Sequence, residues 1–255
     1  MNLFSRIYGQ GDPFIILHGL FVMSDNWNSI GKAISSDFEV HLLDLRNHGR
    51  SPHNMQFNYE VMTEDVKKYI KHYSLEKAII LGHSLGGKVA MSLASHYPEL
   101  LKKMIIIDIA PKEYSVDFHL GILKNLIALN LQEYNSRKAI DLALQNDIRN
   151  KGVRLFLMKN LYRNQKQEFE WRFNISVLEN QIKNISTVNF ISEKIKTPTL
   201  FIKGENSDYI TAKDYESINH YFPSSSIKVV KDAGHWVHAE QPLILQNILI
   251  EFIKE

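Results

Sequence analysis

A serine flanked by glycines stands in the sequence Gly82-His-Ser-Leu-Gly-Gly87, directly after the apolar run Ala78–Leu81 and before a helical pattern. A strand–turn–helix of the form Gly-x-Ser-x-Gly lifts the serine hydroxyl above the end of a sheet, where it can attack a carbonyl carbon. Side chains two residues to either side would collide in so sharp a turn, so glycine is needed at both positions. The motif and its context therefore predict Ser84 as a nucleophile.

A histidine and two backbone amides are predicted to assist this serine. A serine hydroxyl is a weak nucleophile until a base takes its proton. His235 is the candidate base because it follows Gly234 in a loop after the apolar run Ile227–Val230. Charge that develops on the carbonyl oxygen needs preorganised donors. The predicted oxyanion donors are the backbone N–H groups of Leu85, next to the serine, and of Leu20, after an early His-Gly pair.

The carboxylate that would orient the histidine has two candidates, Asp108 and Asp208. Both follow a strand-like run, and both lie between the serine and the histidine along the chain, so chain order does not choose between them. Asp108 directly ends the run Met104–Ile107, where a carboxylate is costly without a partner that an imidazole would supply. We favour Asp108 and keep Asp208 as the alternative acid; the aspartate that is not the acid is expected to cap a loop.

Two other motifs in the same regions are weaker. Residues 82–88 also match the phosphate-binding pattern Gly-x-x-x-x-Gly-Lys, but Val89 stands where a serine or threonine would bind magnesium. A metal site built from His235, His238 and Glu240 is conceivable, yet the chain contains no His-Glu-x-x-His pattern. We therefore expect no nucleotide, no metal and no cofactor.

Composition excludes several other classes of protein. The chain has 255 residues, no cysteine, and 30 basic against 28 acidic side chains. Absence of cysteine excludes a disulfide scaffold and any thiolate metal site, and a net charge of +2 does not indicate nucleic-acid binding. No apolar run reaches the length of a membrane span, and residues 1–11 contain no signal-peptide core. We expect a cytoplasmic protein, and the sequence leaves its oligomeric state open.

Short apolar runs alternate with helical patterns over most of the chain, which is typical of a mostly parallel sheet with helices on both faces. The predicted strands are Leu3–Tyr8 at an antiparallel edge, Phe14–Leu17, Val40–Leu43, Ala78–Leu81, Met104–Ile107, Leu200–Ile202 and Ile227–Val230. From 110 to 197 no convincing strand run occurs, and the helical patterns are Asp117–Leu131, Ser136–Gln145, Val153–Leu161 and Ile175–Ile185. We predict an α/β core of residues 1–109 and 198–255 with a helical cap, residues 110–197, inserted between strands. A separate helical domain is the alternative.

Taken together, these motifs resemble the α/β-hydrolase fold superfamily over almost the whole chain. The matching segments are His18-Gly19, Asp44–Ser51, the serine turn and Gly234-His235. Four segments also resemble bacterial YbfF-type esterases and their mitochondrial ABHD-eleven-like relatives: His18–Phe21, Asp108–Pro111, Trp171–Asn174 and Gly234–Ala239. The resemblance implies hydrolysis of carboxylic esters or thioesters without a cofactor, and the YbfF type implies Asp108 as the acid. In most α/β hydrolases the acid stands three residues after the glycine that corresponds to Gly204, a place that Ser207 occupies here.

The predicted function is a serine esterase that acts on small-molecule esters of short to medium acyl length through an acyl-enzyme. Phe21, Trp171 and Trp236 are candidate walls of an apolar acyl pocket, although packing in the core would explain them equally well. One alternative is a lyase of the menaquinone-synthase type, which uses the same serine turn and a cap arginine, here Arg172. The other alternative is a non-catalytic, receptor-like binding module on the same fold. Ester turnover by the purified protein would distinguish an enzyme from such a module.

Overall fold

The computed structural model describes residues 1–75 and 77–254. Its strands are β1 (Ser5–Tyr8), β2 (Asp12–Leu17), β3 (Phe38–Leu43), β4 (Ala78–His83), β5 (Leu101–Ile107), β6 (Leu161–Arg163), β7 (Phe169–Trp171), β8 (Thr199–Gly204) and β9 (Ser225–Val230). Seven of them form one sheet in the order β1-β3-β2-β4-β5-β8-β9. The edge strand β1 runs antiparallel to β3, and the other neighbours in this sheet are parallel. The predicted, mostly parallel sheet with an antiparallel edge is confirmed.

Helices cover both faces of this sheet. The helices of the described residues are α1 (Asn28–Ile34), α2 (Tyr59–His72), α3 (Leu85–His96), α4 (Asp117–Ala128), α5 (Arg137–Leu144), α6 (Lys151–Lys159), α7 (Ile175–Gln181), α8 (Tyr215–Tyr221), α9 (Val237–Glu240) and α10 (Pro242–Lys254). Apolar side chains of α1 and α10 join the core on one face, whereas those of α2, α3 and α8 join the core on the other. Among the described residues, no helix combines the length and the apolar character that a bilayer crossing requires.

The central strands are apolar on both sides because each side meets helices. In β2, Ile15 and Leu17 belong to one core, while Phe14 and Ile16 belong to the core on the opposite face. All four side chains are buried, as the alternation of side chains along a strand requires when both faces are covered. The unbroken apolar runs in the sequence therefore have a simple origin in the layered architecture.

The segment from 110 to 197 lies between β5 and β8 and contains α4 to α7, which start and end within a few residues of the predicted helices. It also contains the antiparallel hairpin of β6 and β7, which the sequence analysis did not predict. Each of these strands has only three residues, so neither gives a recognisable apolar run. We call this segment the insertion. That it forms a cap with boundaries at 110 and 197 stays a prediction.

The parallel strands bring the residues of chemical interest to one edge of the sheet. The segments that follow β2, β4, β5, β8 and β9 contain all the candidate catalytic and oxyanion residues. Because the carboxyl ends of parallel strands lie at the same edge, loops far apart in the sequence meet there. The backbone amide of Ser84 donates to the carbonyl of Ile107, and the amide of Asp108 donates to the carbonyl of Ile202. Each of these two residues is thus held directly beyond the paired end of its strand.

Candidate active site

Ser84 lies at the tip of a sharp turn between β4 and α3. Its backbone has φ +52° and ψ −115°, in a region that L-residues rarely adopt and that stores strain at functional sites. A Cβ atom on Gly82 would lie 2.3 Å from the carbonyl oxygen of Gly86, and a Cβ on Gly86 would lie 2.3 Å from that of Leu17. Only glycine fits at either position, as the sequence motif predicts, and the turn presents the Ser84 hydroxyl to a cavity.

The imidazole of His235 is paired with the carboxylate of Asp108. The distance from His235 Nδ1 to Asp108 Oδ2 is 2.7 Å, and Asp108 is fully buried. When Nδ1–H donates to this carboxylate, Nε2 carries the lone pair that a general base needs. The ring of His235 also stacks on Tyr209, with centroids 3.8 Å apart. The carboxylate and the stacking together fix the tautomer and the plane of the ring.

Asp108 is oriented by two further donors from the loop after β8. The amide of Gly204 donates to its Oδ1 over 3.1 Å, and the hydroxyl of Ser207 donates to its Oδ2. Asp208 instead has an exposed side chain and, within the described residues, no hydrogen bond to His235. Ser207 occupies the place where the acid stands in most α/β hydrolases and supports Asp108 from there. The structure thus brings Asp108, and not Asp208, to the histidine.

Ser84 and His235 line the same cavity. No hydrogen bond joins their side chains among the residues that the structure describes. Such a bond is often long before substrate binds and shortens in the complex. The neighbouring His83 helps to hold this loop, because its Nε2–H donates to the carbonyl of His235 over 2.9 Å.

The loop after β2 approaches the serine closely. A Cβ atom on Gly19 would lie 3.4 Å from the Cβ of Ser84, and the amide of Gly86 donates to the carbonyl of His18 over 3.1 Å. In the described part of the chain, the amides of Leu20 and Leu85 donate no hydrogen bond. Both residues border the space next to the Ser84 hydroxyl, where two free N–H groups can stabilise a developing oxyanion.

His18 locks the start of that loop, a role that the sequence did not indicate. Its Nε2 accepts from the amide of Leu45 over 2.9 Å, so Nδ1 carries the hydrogen and donates to the carbonyl of Gly19 over 2.7 Å. Burial lowers the pKa of His18 to about 4, which keeps the ring neutral and preserves this tautomer near neutral pH. The imidazole therefore holds the peptide that leads to Leu20.

Asn160, a residue of the insertion, holds the other end of the loop after β2. It is fully buried directly after α6, and its Nδ2 donates to the carbonyl of Phe21 over 2.7 Å. Phe21 has a φ of +59°, a conformation that needs support in a residue with a bulky side chain. Nothing in the sequence pattern points to this contact, because its partners are more than a hundred residues apart.

The cavity beside Ser84 has a volume of about 440 Å³ and a mostly apolar lining. Its walls come from the core and from the insertion, which contributes Tyr114, Ser115, Phe118, His119, Ile122, Asn150, Val153, Phe156 and Leu157. Phe21 and Trp236 line it, as the sequence analysis predicts for an acyl pocket. The insertion thus forms one side of the cavity above the carboxyl edge of the sheet.

The prediction that Trp171 lines this pocket is wrong. Its side chain is buried on the same face of β7 as Phe169, and its ring stacks on Phe173 with centroids 5.7 Å apart. Because side chains alternate along a strand, Phe169 and Trp171 both pack inside the insertion, whereas Glu170 points outwards. Arg172, the arginine required by the lyase alternative, packs over the ring of Tyr162 and does not line the cavity either.

The side chains of the two weaker motifs have other partners in the described residues. His238 is buried and stacks on Trp27 with centroids 4.2 Å apart, and the carboxylate of Glu240 accepts from the amide of Gly234. No group of three or more potential metal ligands is found in residues 1–75 and 77–254. Lys88, the lysine of the phosphate-like pattern, is buried and donates to the carbonyls of Lys112, Ser186 and Thr187.

We expect Lys88→Met to lower the stability of the protein without touching the catalytic groups. The side chain of Lys88 ties α3 to both ends of the insertion, and its removal leaves partly buried carbonyls without a donor. The expected loss is about 2 kcal/mol, or roughly 4–8 °C in Tm for a domain of this size. Thermal unfolding followed by circular dichroism measures it. Lys102→Met is the control because Lys102 is exposed and makes one surface ion pair with Asp12, worth at most about 1 kcal/mol; equal losses in both variants would contradict this role.

Comparison with known proteins agrees with this architecture. The model of the α/β hydrolase fold family matches residues 12–242, so the chain belongs to that family. A solved structure of a marine microorganism esterase is 42% identical, with a TM-score of 0.96 and 99% of both chains covered.

Two curated relatives lie in the groups that the sequence resembles. Esterase YbfF of Escherichia coli is 34% identical over 91% of this chain and 89% of its own length. The sn-1-specific diacylglycerol lipase ABHD11 of Danio rerio is 34% identical over 96% of this chain and 80% of its own length. The predicted superfamily and the narrower resemblance are thereby confirmed, and the similarities support a hydrolase enzyme of the esterase type.

Proposed function

We propose that this protein hydrolyses small-molecule carboxylic esters through a covalent acyl-enzyme formed on Ser84. The pairing of His235 with the buried carboxylate of Asp108, beside a strained serine in one cavity, carries the proposal. Nucleophile, base and orienting acid are the groups that acyl transfer by a serine requires.

The proposed reaction has two halves. In the first, Ser84 Oγ attacks the ester carbonyl carbon while His235 Nε2 accepts the hydroxyl proton. The amides of Leu20 and Leu85 stabilise the oxyanion of the tetrahedral intermediate. The C–O bond to the alcohol then breaks, and His235 returns the proton to the departing oxygen. In the second half, water adds to the acyl-enzyme with His235 as base, and the acid is released as Ser84 regains its proton.

Asp108 supports both halves without reacting itself. Its carboxylate stabilises the imidazolium that forms when His235 accepts a proton, and it keeps Nε2 directed at the serine. The donors from Gly204 and Ser207 hold the carboxylate in place. Because three donors surround it, the charge on Asp108 is stabilised despite full burial.

We further propose that the insertion acts as a cap that limits the size of the acyl group. The cavity volume of about 440 Å³ lies near the lower end of the range for small-molecule sites. Side chains of α4 and α6 close one side of it, and the lining is mainly apolar. A partly enclosed, mainly apolar space of this size favours short and medium acyl chains over long ones.

A series of para-nitrophenyl esters of increasing acyl length tests the class of reaction and the size of the pocket together. We expect kcat/KM to peak between butanoate and octanoate and to fall for longer chains, because the walls of the cavity exclude them. Release of nitrophenol measures the rate, and the Ser84→Ala variant supplies the background. Highest activity on palmitate or on emulsified long-chain triglyceride would contradict the proposed cap, and no turnover of any ester would contradict the enzyme.

A further inference from the structure

His119 is a polar residue in an otherwise mainly apolar wall next to the serine. It lies on α4 and borders the main cavity and a smaller one of about 40 Å³. Ser84 and Leu20 border both cavities, so the two spaces adjoin at the nucleophile. The smaller cavity is also lined by Leu85 and not by His235. It therefore lies on the oxyanion side of the serine, away from the base.

The side chain of His119 has no hydrogen-bond partner among the described residues. Its Nδ1 is enclosed without a partner, and its ring packs near Phe21 and Phe118, with centroids 5.9 and 5.5 Å away. Burial, assisted by repulsion from His235, lowers the pKa of His119 to about 4. The ring is thus neutral near neutral pH and offers one N–H donor and one lone pair. Leaving such groups without partners is costly, which points to a ligand that supplies one.

The charges around the cavity restrict what that ligand can be. Among the residues that line the main cavity, none is lysine or arginine, and Asp208 contributes a carboxylate. Lys88 borders the smaller cavity, but its ammonium group already donates to the carbonyls of Lys112, Ser186 and Thr187. An anionic substituent would leave water without gaining a cation and would be repelled by Asp208. A neutral oxygen, in an ether, a hydroxyl or a ketone, accepts a hydrogen bond from a neutral imidazole at no such cost.

The position of His235 decides which part of the ester faces His119. The alcohol oxygen must face His235, because it receives the proton from that ring as it departs. The acyl part is then directed into the rest of the main cavity, whose wall on α4 includes His119. We propose that His119 recognises a neutral oxygen at the second or third position of the acyl chain, so that esters of alkoxy, hydroxy or oxo acids are preferred substrates. This inference rests on the proposed serine esterase mechanism.

Two esters of matched size test this role. Para-nitrophenyl methoxyacetate and para-nitrophenyl butanoate share a leaving group and a chain length, and they differ in one ether oxygen that replaces a methylene. The quantity to measure is the ratio of their kcat/KM values in the wild type, in His119→Leu and in His119→Gln. Because the ratio is taken within each variant, a general loss of packing or of oxyanion stabilisation affects both esters and cancels.

We expect the preference for methoxyacetate to fall about 3- to 10-fold in His119→Leu, as loss of one neutral hydrogen bond predicts. His119→Gln should recover part of it, since its amide can donate to the same oxygen. Ile127→Leu is the control, because Ile127 lies on the same helix, is largely exposed and lines neither cavity. Its ratio should equal that of the wild type.

Each other outcome overturns a defined part of the inference. An unchanged ratio in His119→Leu, with ester turnover retained, would reject the role of His119 and leave the serine mechanism standing. If the wild type hydrolyses neither ester, the proposed function and the inference both fail. Faster hydrolysis of the para-nitrophenyl hemisuccinate than of the neutral pair would reject the neutral class. An effect of His119→Leu only on methoxyethyl butanoate relative to butyl butanoate would place the contact on the alcohol side and reject the acyl assignment.

Discussion

Ser84→Ala should lower kcat for ester hydrolysis by on the order of 10⁶, the loss measured when a triad serine is removed in other hydrolases. The alanine has no oxygen to form the acyl-enzyme, so only the amides of Leu20 and Leu85 remain to stabilise attack by water. Steady-state kinetics with para-nitrophenyl butanoate measure the loss. Modification by a fluorophosphonate, located by peptide mass spectrometry, should occur on Ser84 in the wild type and be absent from the variant.

A serine on the helix that follows Ser84 provides the control for this experiment. Ser95 lies near the far end of α3, away from the cavity, and Ser95→Ala should keep the activity of the wild type. Both variants should show the circular dichroism spectrum of the native fold. If Ser84→Ala retained more than a few per cent of the wild-type turnover, the acyl-enzyme on Ser84 would be refuted.

Asp108→Asn should lower kcat by on the order of 10⁴, whereas Asp208→Asn should change it little. The asparagine keeps the size of the side chain but replaces one acceptor oxygen by an NH₂ group among three donors, from Gly204, Ser207 and His235. His235 then loses both the acceptor that sets its tautomer and the charge that stabilises its protonated form. We expect KM to change much less than kcat, because neither change alters the apolar walls of the cavity.

The two aspartate variants form a matched pair, since each makes the same chemical change next to the same cavity. Asp208 lines the cavity but is exposed and does not bond to His235 in the described residues. Measurement of both variants with one ester at one pH separates the two assignments. If Asp208→Asn lost activity and Asp108→Asn kept it, the acid of the triad would be Asp208 in the loop after β8, and our assignment would be refuted.

The sequence by itself determined the features that depend on short-range geometry. Apolar runs of four residues identify buried parallel strands, because a strand covered on both faces has no polar side. The glycines at 82 and 86 follow from the collisions that any Cβ atom would make with nearby backbone. Ser84 and the strands that carry it could therefore be predicted, and so could the family, since its motifs are local.

The hairpin and Trp171 show where local patterns stop being informative. Three-residue strands leave no periodic signal, so β6 and β7 were not predicted. An aromatic side chain also packs equally well in a core or against a substrate, and only the direction of the strand decides which. In β7 that direction places Trp171 against Phe173 and away from the serine.

The tertiary structure alone decided which distant polar groups become partners. The sequence favoured Asp108 over Asp208, but both follow strands at the same edge of the sheet. Which of them pairs with His235 depends on the path of one short loop, where Ser207 donates to Asp108. The contact of Asn160 with Phe21 and the unpartnered ring of His119 depend in the same way on how the insertion packs over the core. Hydrogen bonds and burial act over a few ångströms in space, whereas these residues are far apart along the chain, so no spacing in the sequence encodes them.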